Sequence, residues 1–262
     1  MWQAAMIMGG AGLLLGAGLA YVAVKVAVPP DERVTAVRNE LPGANCGACG
    51  FPGCDGLASA IVKGEAAPTA CTAGGPDVAG KIGKALGIEV AAVEPKVATV
   101  LCQGTADHVI RTYRYDGIAD CRAAALMPGG GPKACGVACI GLGTCVAACT
   151  FGALSMDEER GLPVVDKSKC TACGLCVTAC PKGVMAVVPQ SQKVLVACRN
   201  TDRGPIVRKL CSVGCLACNL CVRTCQSAAV KMENNVAVID PAACTACGLC
   251  AAKCAPKSIV LM

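Results

Sequence analysis

Residues 4–24 carry no charged side chain and are almost wholly apolar, and Lys25 closes the run. Such a stretch is long enough to cross a bilayer core as one helix, so the pattern predicts a transmembrane anchor over residues 1–27. No Lys or Arg precedes the run, whereas Lys25, Arg33 and Arg38 follow it. Basic residues favour the cytoplasmic side, which puts the N-terminus outside and everything after Lys25 in the cytoplasm. A cleaved signal peptide is the competing reading. It calls for a basic first region and a shorter apolar stretch, and this segment has neither. Gly12, Gly16 and Ala20 recur every fourth residue on one helix face. Small residues so spaced permit a second membrane helix to approach closely, although they are also simply common in such helices.

Past the anchor the apolar positions come in short pieces. Pro29, Pro30 and the charges that follow mark a linker. Residues 55–64 and 80–93 predict short helices, and residues 163–165 and 236–239 predict short strands. From about residue 100 the chain repeats itself. Val100-Leu101-Cys102 returns as Val196-Ala197-Cys198. With Cys135 set on Cys211, Cys139 falls on Cys215, Cys145 on Cys221 and Cys149 on Cys225. The run Cys170-Thr171-Ala172-Cys173-Gly174-Leu175-Cys176 recurs as Cys244-Thr245-Ala246-Cys247-Gly248-Leu249-Cys250, with Asp166 and Asp240 at the same offset before it. The expected fold is α+β: an anchor (1–27), a small four-cysteine domain (28–92) and two equivalent modules (93–192 and 193–262).

Composition sharpens this. Aromatic residues make up 2% of the chain and there is one Trp, while cysteines number 24. A large aromatic core is not available, but metal binding can supply folding free energy in its place. A disulfide framework belongs to small domains in oxidising compartments and does not call for near-identical tight runs. Structural zinc favours paired C-x2-C or mixed Cys/His sites, and the one histidine is His108. Runs of C-x2-C-x2-C-x3-C are the ligand spacing of two-cluster ferredoxins, in which thiolates hold [4Fe–4S] cubes and the fourth cysteine of each run serves the other cube. Thiolates must stay reduced to do so, which fits a reducing cytosol.

Five ligand sets follow. Cys46, Cys49, Cys54 and Cys71 form the first, with Gly47, Gly50 and Gly53 letting the backbone pass close to a cube. Leu142 stands where the second module has Cys218, so Cys135 is the expected substitute, giving Cys135, Cys139, Cys145 and Cys180. Cys149 joins Cys170, Cys173 and Cys176. In the second module Cys254 joins Cys215, Cys218 and Cys221, and Cys225 joins Cys244, Cys247 and Cys250. Cys102, Cys121, Cys198 and Cys211 are left over. They are equal in number to one further cubane set, and free cysteines also serve as small buried hydrophobes. Five clusters are expected and a sixth is open. No acid–base pair, nucleophile or flavin attachment motif stands out, so no catalytic residue is expected. Gly129-Gly130-Gly131-Pro132 reads as a turn rather than a phosphate cradle.

The anchor, the Cys46–Cys71 group, the stretch 130–133, the run Cys139-Ile140-Gly141-Leu142-Gly143-Thr144-Cys145 and the duplicated region together resemble the B subunit of the Rnf complexes in its long form. The resemblance covers essentially the whole chain. It implies a membrane-anchored electron-relay subunit. Electrons would come from soluble ferredoxin and go to flavin- and cluster-bearing partner subunits, coupling ferredoxin/NAD electron transfer to sodium or proton movement. It implies no NAD site in this chain. The formal net charge is +6. Between residues 198 and 231, Arg199, Arg203, Arg208, Lys209, Arg223 and Lys231 face one acid, Asp202. An acidic ferredoxin would be steered to such a surface; a solvated face near anionic lipid is the plainer alternative. Nucleic acid is not expected, because stacking aromatics are missing. A membrane-bound polyferredoxin serving another reductase, and a zinc protein, stay open.

Overall fold

The computed structural model describes residues 2–26, 31–91 and 94–262, apart from the side chains at positions 4, 5, 7, 23, 24 and 26. Helix α1 (Trp2–Val26) is unbroken, and Leu13, Leu14, Leu15 and Leu19 on it are exposed. Among the described residues no helix is long and apolar enough to cross a membrane. The expected transmembrane anchor is therefore met as a helix but not, on those residues, as a membrane span.

Three helices build the next domain. α2 (Glu32–Glu40) starts at Asp31, whose carboxylate accepts from the Arg33 N–H at 2.9 Å. That cap satisfies a donor the helix cannot pair internally. α3 (Gly53–Val62) forms two residues earlier than the helix expected over 55–64 and stops two residues sooner. α4 (Gly75–Leu86) starts earlier than expected because Pro76 presets the first turn. It ends at Gly87, in the left-handed conformation with φ +68°, so it does not continue over 80–93; residues 92 and 93 lie outside the described ones. Val37, Leu57 and Ile82, one from each helix, are at most 1% exposed and close a core that also contains Cys54 and Cys71.

The remainder consists of short two-stranded ladders arranged alike in two successive stretches. In the first, β1 (Lys96–Val100) precedes α5 (Cys121–Ala125) and α6 (Thr144–Ala147). The hairpin β2 (Leu154–Asp157) and β3 (Leu162–Val165) follows, then α7 (Leu175–Ala179) and β4 (Met185–Pro189). β4 returns antiparallel to β1, pairing Met185 with Val100. In the second, β5 (Val194–Val196), α8 (Gly204–Leu210) and α9 (Leu220–Thr224) lead to the hairpin β6 (Val230–Glu233) and β7 (Val236–Ile239). α10 (Leu249–Lys253) and β8 (Ile259–Leu261) complete it, with Ile259 opposite Val196. The strands expected at 163–165 and 236–239 are present as β3 and β7.

The repeat extends to single hydrogen bonds. The N–H of Asp166 donates to Ala153 O and that of Asp240 to Ala229 O, both at 2.8 Å. The N–H groups of Cys170 and Cys244 donate back to Asp166 O and Asp240 O, both at 3.1 Å. Each aspartate thus locks the start of its cysteine run to the preceding hairpin. The modules differ in the segment between Cys102 and Cys135, which carries α5 and is longer than its counterpart between Cys198 and Cys211. Ile110 and Val109 on it pair with Leu210 and Cys211 of the second module.

Candidate metal centres

Cys46, Cys49, Cys54 and Cys71 line one pocket that spans about 320 Å³ with its open mouth included. Gly53 must stay a glycine there: its φ is +79°, and a Cβ would come within 2.9 Å of Asn45 Oδ1. That same oxygen accepts from the Cys54 N–H at 2.8 Å and fixes the loop. Burial pushes the Cys71 thiol up, and Cys54, Cys49 and Cys46 push the same way. The four sulfurs therefore share one environment.

Cys149, Cys170, Cys173 and Cys176 line a second pocket of about 330 Å³. The Ala98 N–H donates to Cys170 Sγ (3.3 Å) and the Ala153 N–H to Cys149 Sγ (3.4 Å). Hydrogen bonds to sulfur favour the thiolate and tune a cluster. Ala172, Ala217 and Ala246 have φ of +56°, +54° and +56°, uncommon for a residue with a Cβ. The same loop bend thus recurs in all three complete runs.

The third pocket, about 350 Å³, departs from expectation. Cys139, Cys145 and Cys180 line it, but the fourth cysteine is Cys121, not Cys135. Cys121 begins α5. Its N–H donates to Thr144 Oγ1 at 2.7 Å, and Thr144 Oγ1 donates to Asp120, the N-cap of α5, at 2.9 Å. Leu142, in the place of the missing ligand, packs with Ile140 in a cluster with Cys121 and Ala124 of this helix. Burial pushes Cys139 up to about 12, with Cys102 adding, and Cys145 up to about 11, with Cys121 and Cys180 adding. Spacing alone favoured Cys135, four residues away from Cys139. The inserted segment brings Cys121 across instead.

Cys135 lines a different pocket of about 370 Å³, together with Cys102, Cys198 and Cys211. In the second module, Cys215, Cys221, Cys250 and Cys254 are buried in one core with Val194, Val230, Val236 and Ile259. Burial raises Cys221 to about 11, with contributions from Cys215 and Cys218. It also raises Cys250, with contributions from Cys244, Cys225 and Cys247. Cys254 Sγ lies 3.2 Å from Ser258 Oγ. Cys215, Cys218 and Cys221 thus lie near one another, as do Cys225, Cys244, Cys247 and Cys250, and Cys254 lies in the core they share. Cys218 and Cys247 reach the surface.

Among the described residues, no three His, Cys, Asp or Glu converge as they would around a single metal ion. A cubane spreads its four thiolates over four irons and calls instead for pockets lined on several sides by one sulfur each. All-cysteine donor sets, N–H groups aimed at sulfur and small apolar walls fit that group. The six basic residues between 198 and 231 are all exposed, and among the described residues none of them is in an ion pair.

Ferredoxin-like ladders wrapped around four-cysteine pockets define an iron–sulfur electron carrier. Residues 41–73 match the family model "Putative Fe-S cluster" and residues 138–184 the "4Fe-4S dicluster domain". The chain is 48% identical to the B subunit of the Na(+)-translocating ferredoxin:NAD(+) oxidoreductase complex of Acetobacterium woodii, over 89% of this chain and 70% of that protein. It is 43% identical to the B subunit of the ion-translocating oxidoreductase complex of Methanosarcina acetivorans, over 97% and 96%. It is 44% identical to the B subunit of the proton-translocating ferredoxin:NAD(+) oxidoreductase complex of Clostridium ljungdahlii, over 87% and 80%. The chain belongs to the family of B subunits of the Rnf ion-translocating oxidoreductase complexes, and its role is that of an electron relay in such a complex.

Proposed function

We propose that this subunit takes electrons from reduced ferredoxin and hands them, cube by cube, to partner subunits of its complex, which couple the flow to sodium or proton movement. The observation that carries the reading is the grouping of cysteines four to a pocket in a chain whose relatives are named for that reaction. When bound, each [4Fe–4S] cluster supplies a one-electron carrier. Cys46, Cys49, Cys54 and Cys71 would hold the first. Cys121, Cys139, Cys145 and Cys180 would hold the second, and Cys149, Cys170, Cys173 and Cys176 the third. Cys215, Cys218, Cys221 and Cys254, and Cys225, Cys244, Cys247 and Cys250, would hold the pair in the second module.

The protein's part is to hold, screen and tune. Ala98, Leu154 and Met185 pack beside the first-module sulfurs and keep water away. The Ala98 and Ala153 N–H groups stabilise charge on sulfur. Surface-reaching Cys218 and Cys247 leave the second module accessible to a soluble donor, and the exposed basic residues beside it suit an acidic one. Attachment to the cell membrane rests on the uncharged residues 4–24 and on the single helix α1; five positions in that run, all apolar in sequence, fall outside the described side chains. The basic residues after it put the cluster domains on the cytoplasmic side.

The test is reduction of the anaerobic protein by reduced ferredoxin in a stopped-flow instrument. The rate should fall steeply as salt rises, because screening weakens steering. Reversing Arg199, Arg203 and Arg208 to Glu should slow it further with iron content unchanged. A rate indifferent to both would move the docking site away from the second module. Protease added to inside-out vesicles should digest the cluster domains; protection there would reverse the topology.

A further inference from the structure

Cys102 and Cys135 occupy, in the first module, the positions that Cys198 and Cys211 occupy in the second. None of the four falls in the ferredoxin-type runs, yet the fold brings both pairs to one pocket where the modules meet. We propose that Cys102, Cys135, Cys198 and Cys211 hold a sixth [4Fe–4S] cluster at this seam, two ligands from each module. The inference rests on reading the other pockets as cluster sites.

Size supports it. With its open mouth included, the pocket spans about 370 Å³, comparable to about 330 Å³ at Cys170 and about 350 Å³ at Cys139. Chemistry supports it as well. Four cysteines and no acid or histidine line the pocket, a donor set that suits soft iron–sulfur centres. The second-module Asn200, 4% exposed, donates Nδ2–H to the first-module Cys135 Sγ at 3.4 Å. The N–H groups of Cys139 and Gly104 donate to Cys102 Sγ at 3.4 and 3.3 Å, and that of Cys215 donates to Cys198 Sγ at 3.3 Å. Cys102 and Cys198 thus receive an equivalent bond from equivalent positions of the repeat. Each of these groups would stabilise a bound thiolate. Because Cys139 and Cys215 are themselves in cluster sets, the seam site adjoins one cluster pocket in each module. It would tie the modules together and carry single electrons between them.

The backbone is built to hold the seam closed. Val109 bridges Cys211, the Ile110 N–H donates to Leu210 O at 3.2 Å, and the Ser212 N–H donates to His108 O at 2.8 Å. Val207, fully buried, closes the floor.

Iron and acid-labile sulfide counted on the anaerobically prepared full-length protein test this. Six cubes give about twenty-four irons per chain; about twenty overturns the sixth site while leaving the relay reading intact, and little or no iron overturns both. Variants then assign the ligands. Cys135→Ser and Cys211→Ser should each lose about four irons, and the double variant no more than either. Cys121→Ser combined with Cys135→Ser should lose about eight, because the two serve different cubes. A double Cys135/Cys211 loss of about eight, or a Cys121/Cys135 loss of only about four, overturns the assignment. Where a Ser variant does not fold, the wild-type count decides.

Discussion

Lys133 is 5% exposed, and its ammonium donates to Gly104 O at 2.6 Å. Burial pulls its pKa down, while Cys139 and Cys102 hold it up. A cation in that position favours the extra electron on clusters at either side, since local charge sets potential. Lys133→Met should therefore make the cluster bounded by Cys139 harder to reduce, seen as a negative shift in a redox titration followed by EPR. Thr144 has a different task, joining the N-terminus of α5 to α6 through Cys121 N–H and Asp120. Thr144→Val should cost about 1–2 kcal/mol and make the Cys121 pocket the first to lose iron on mild chelation. The thiols also set a pH dependence. With Cys139 pushed up to about 12 by burial, and Cys145, Cys176 and Cys221 up to about 11, these groups are protonated at neutral pH before metal arrives. Ligation displaces those protons, so reconstitution of cluster-free protein should tighten as pH rises from about 7 to about 9, measured as iron retained after gel filtration.

Elements differ in how much of them the sequence announced. The strands β3 and β7 were legible because they are short apolar runs that the repeat states twice, whereas their hairpin partners β2 and β6 were not singled out. α3 was legible as a short helix after Cys54, with its ends two residues off. α5 was not, because five residues give no period, and the cysteine at its head is far in sequence from the run it completes. The signal that was present lay elsewhere: Cys135 has a partner at Cys211 and Cys102 at Cys198, so both pairs belong to something common to the modules, whereas Cys121 has no counterpart. Leu142 is the mark of the exchange. If α5 replaces the missing ligand, then Leu142→Cys introduced together with Cys121→Ser should restore the iron that Cys121→Ser loses, while Leu142→Cys alone should leave the iron count unchanged. In the α2–α4 domain, Leu57 is 1% exposed between three helices. Leu57→Ala should destabilise it by about 2–5 kcal/mol, read from the denaturant midpoint at which the Cys46–Cys71 site is lost.

At the scale of the whole molecule, folding and function use the same atoms. The largest fully buried side chains are few and mostly aliphatic, and the core clusters are built around cysteine sulfur. The cubes would therefore serve as the interior as well as the wire, and the chain without iron should be much less stable than with it. Exposed positive charge gathers in the second module, in the basic residues between 198 and 231. The family and the cofactor were legible from cysteine spacing; how pockets are shared between modules was not, because that depends on which surfaces meet. Low-temperature EPR of the anaerobic full-length protein, before and after excess reduced ferredoxin, is the decisive experiment on the relay. The protein should be brown and silent before reduction, take up at least about five electrons per chain and then show the signals of reduced, mutually coupled [4Fe–4S] centres. A colourless, zinc-loaded protein, or one that keeps its iron but accepts no electrons from ferredoxin, would contradict it.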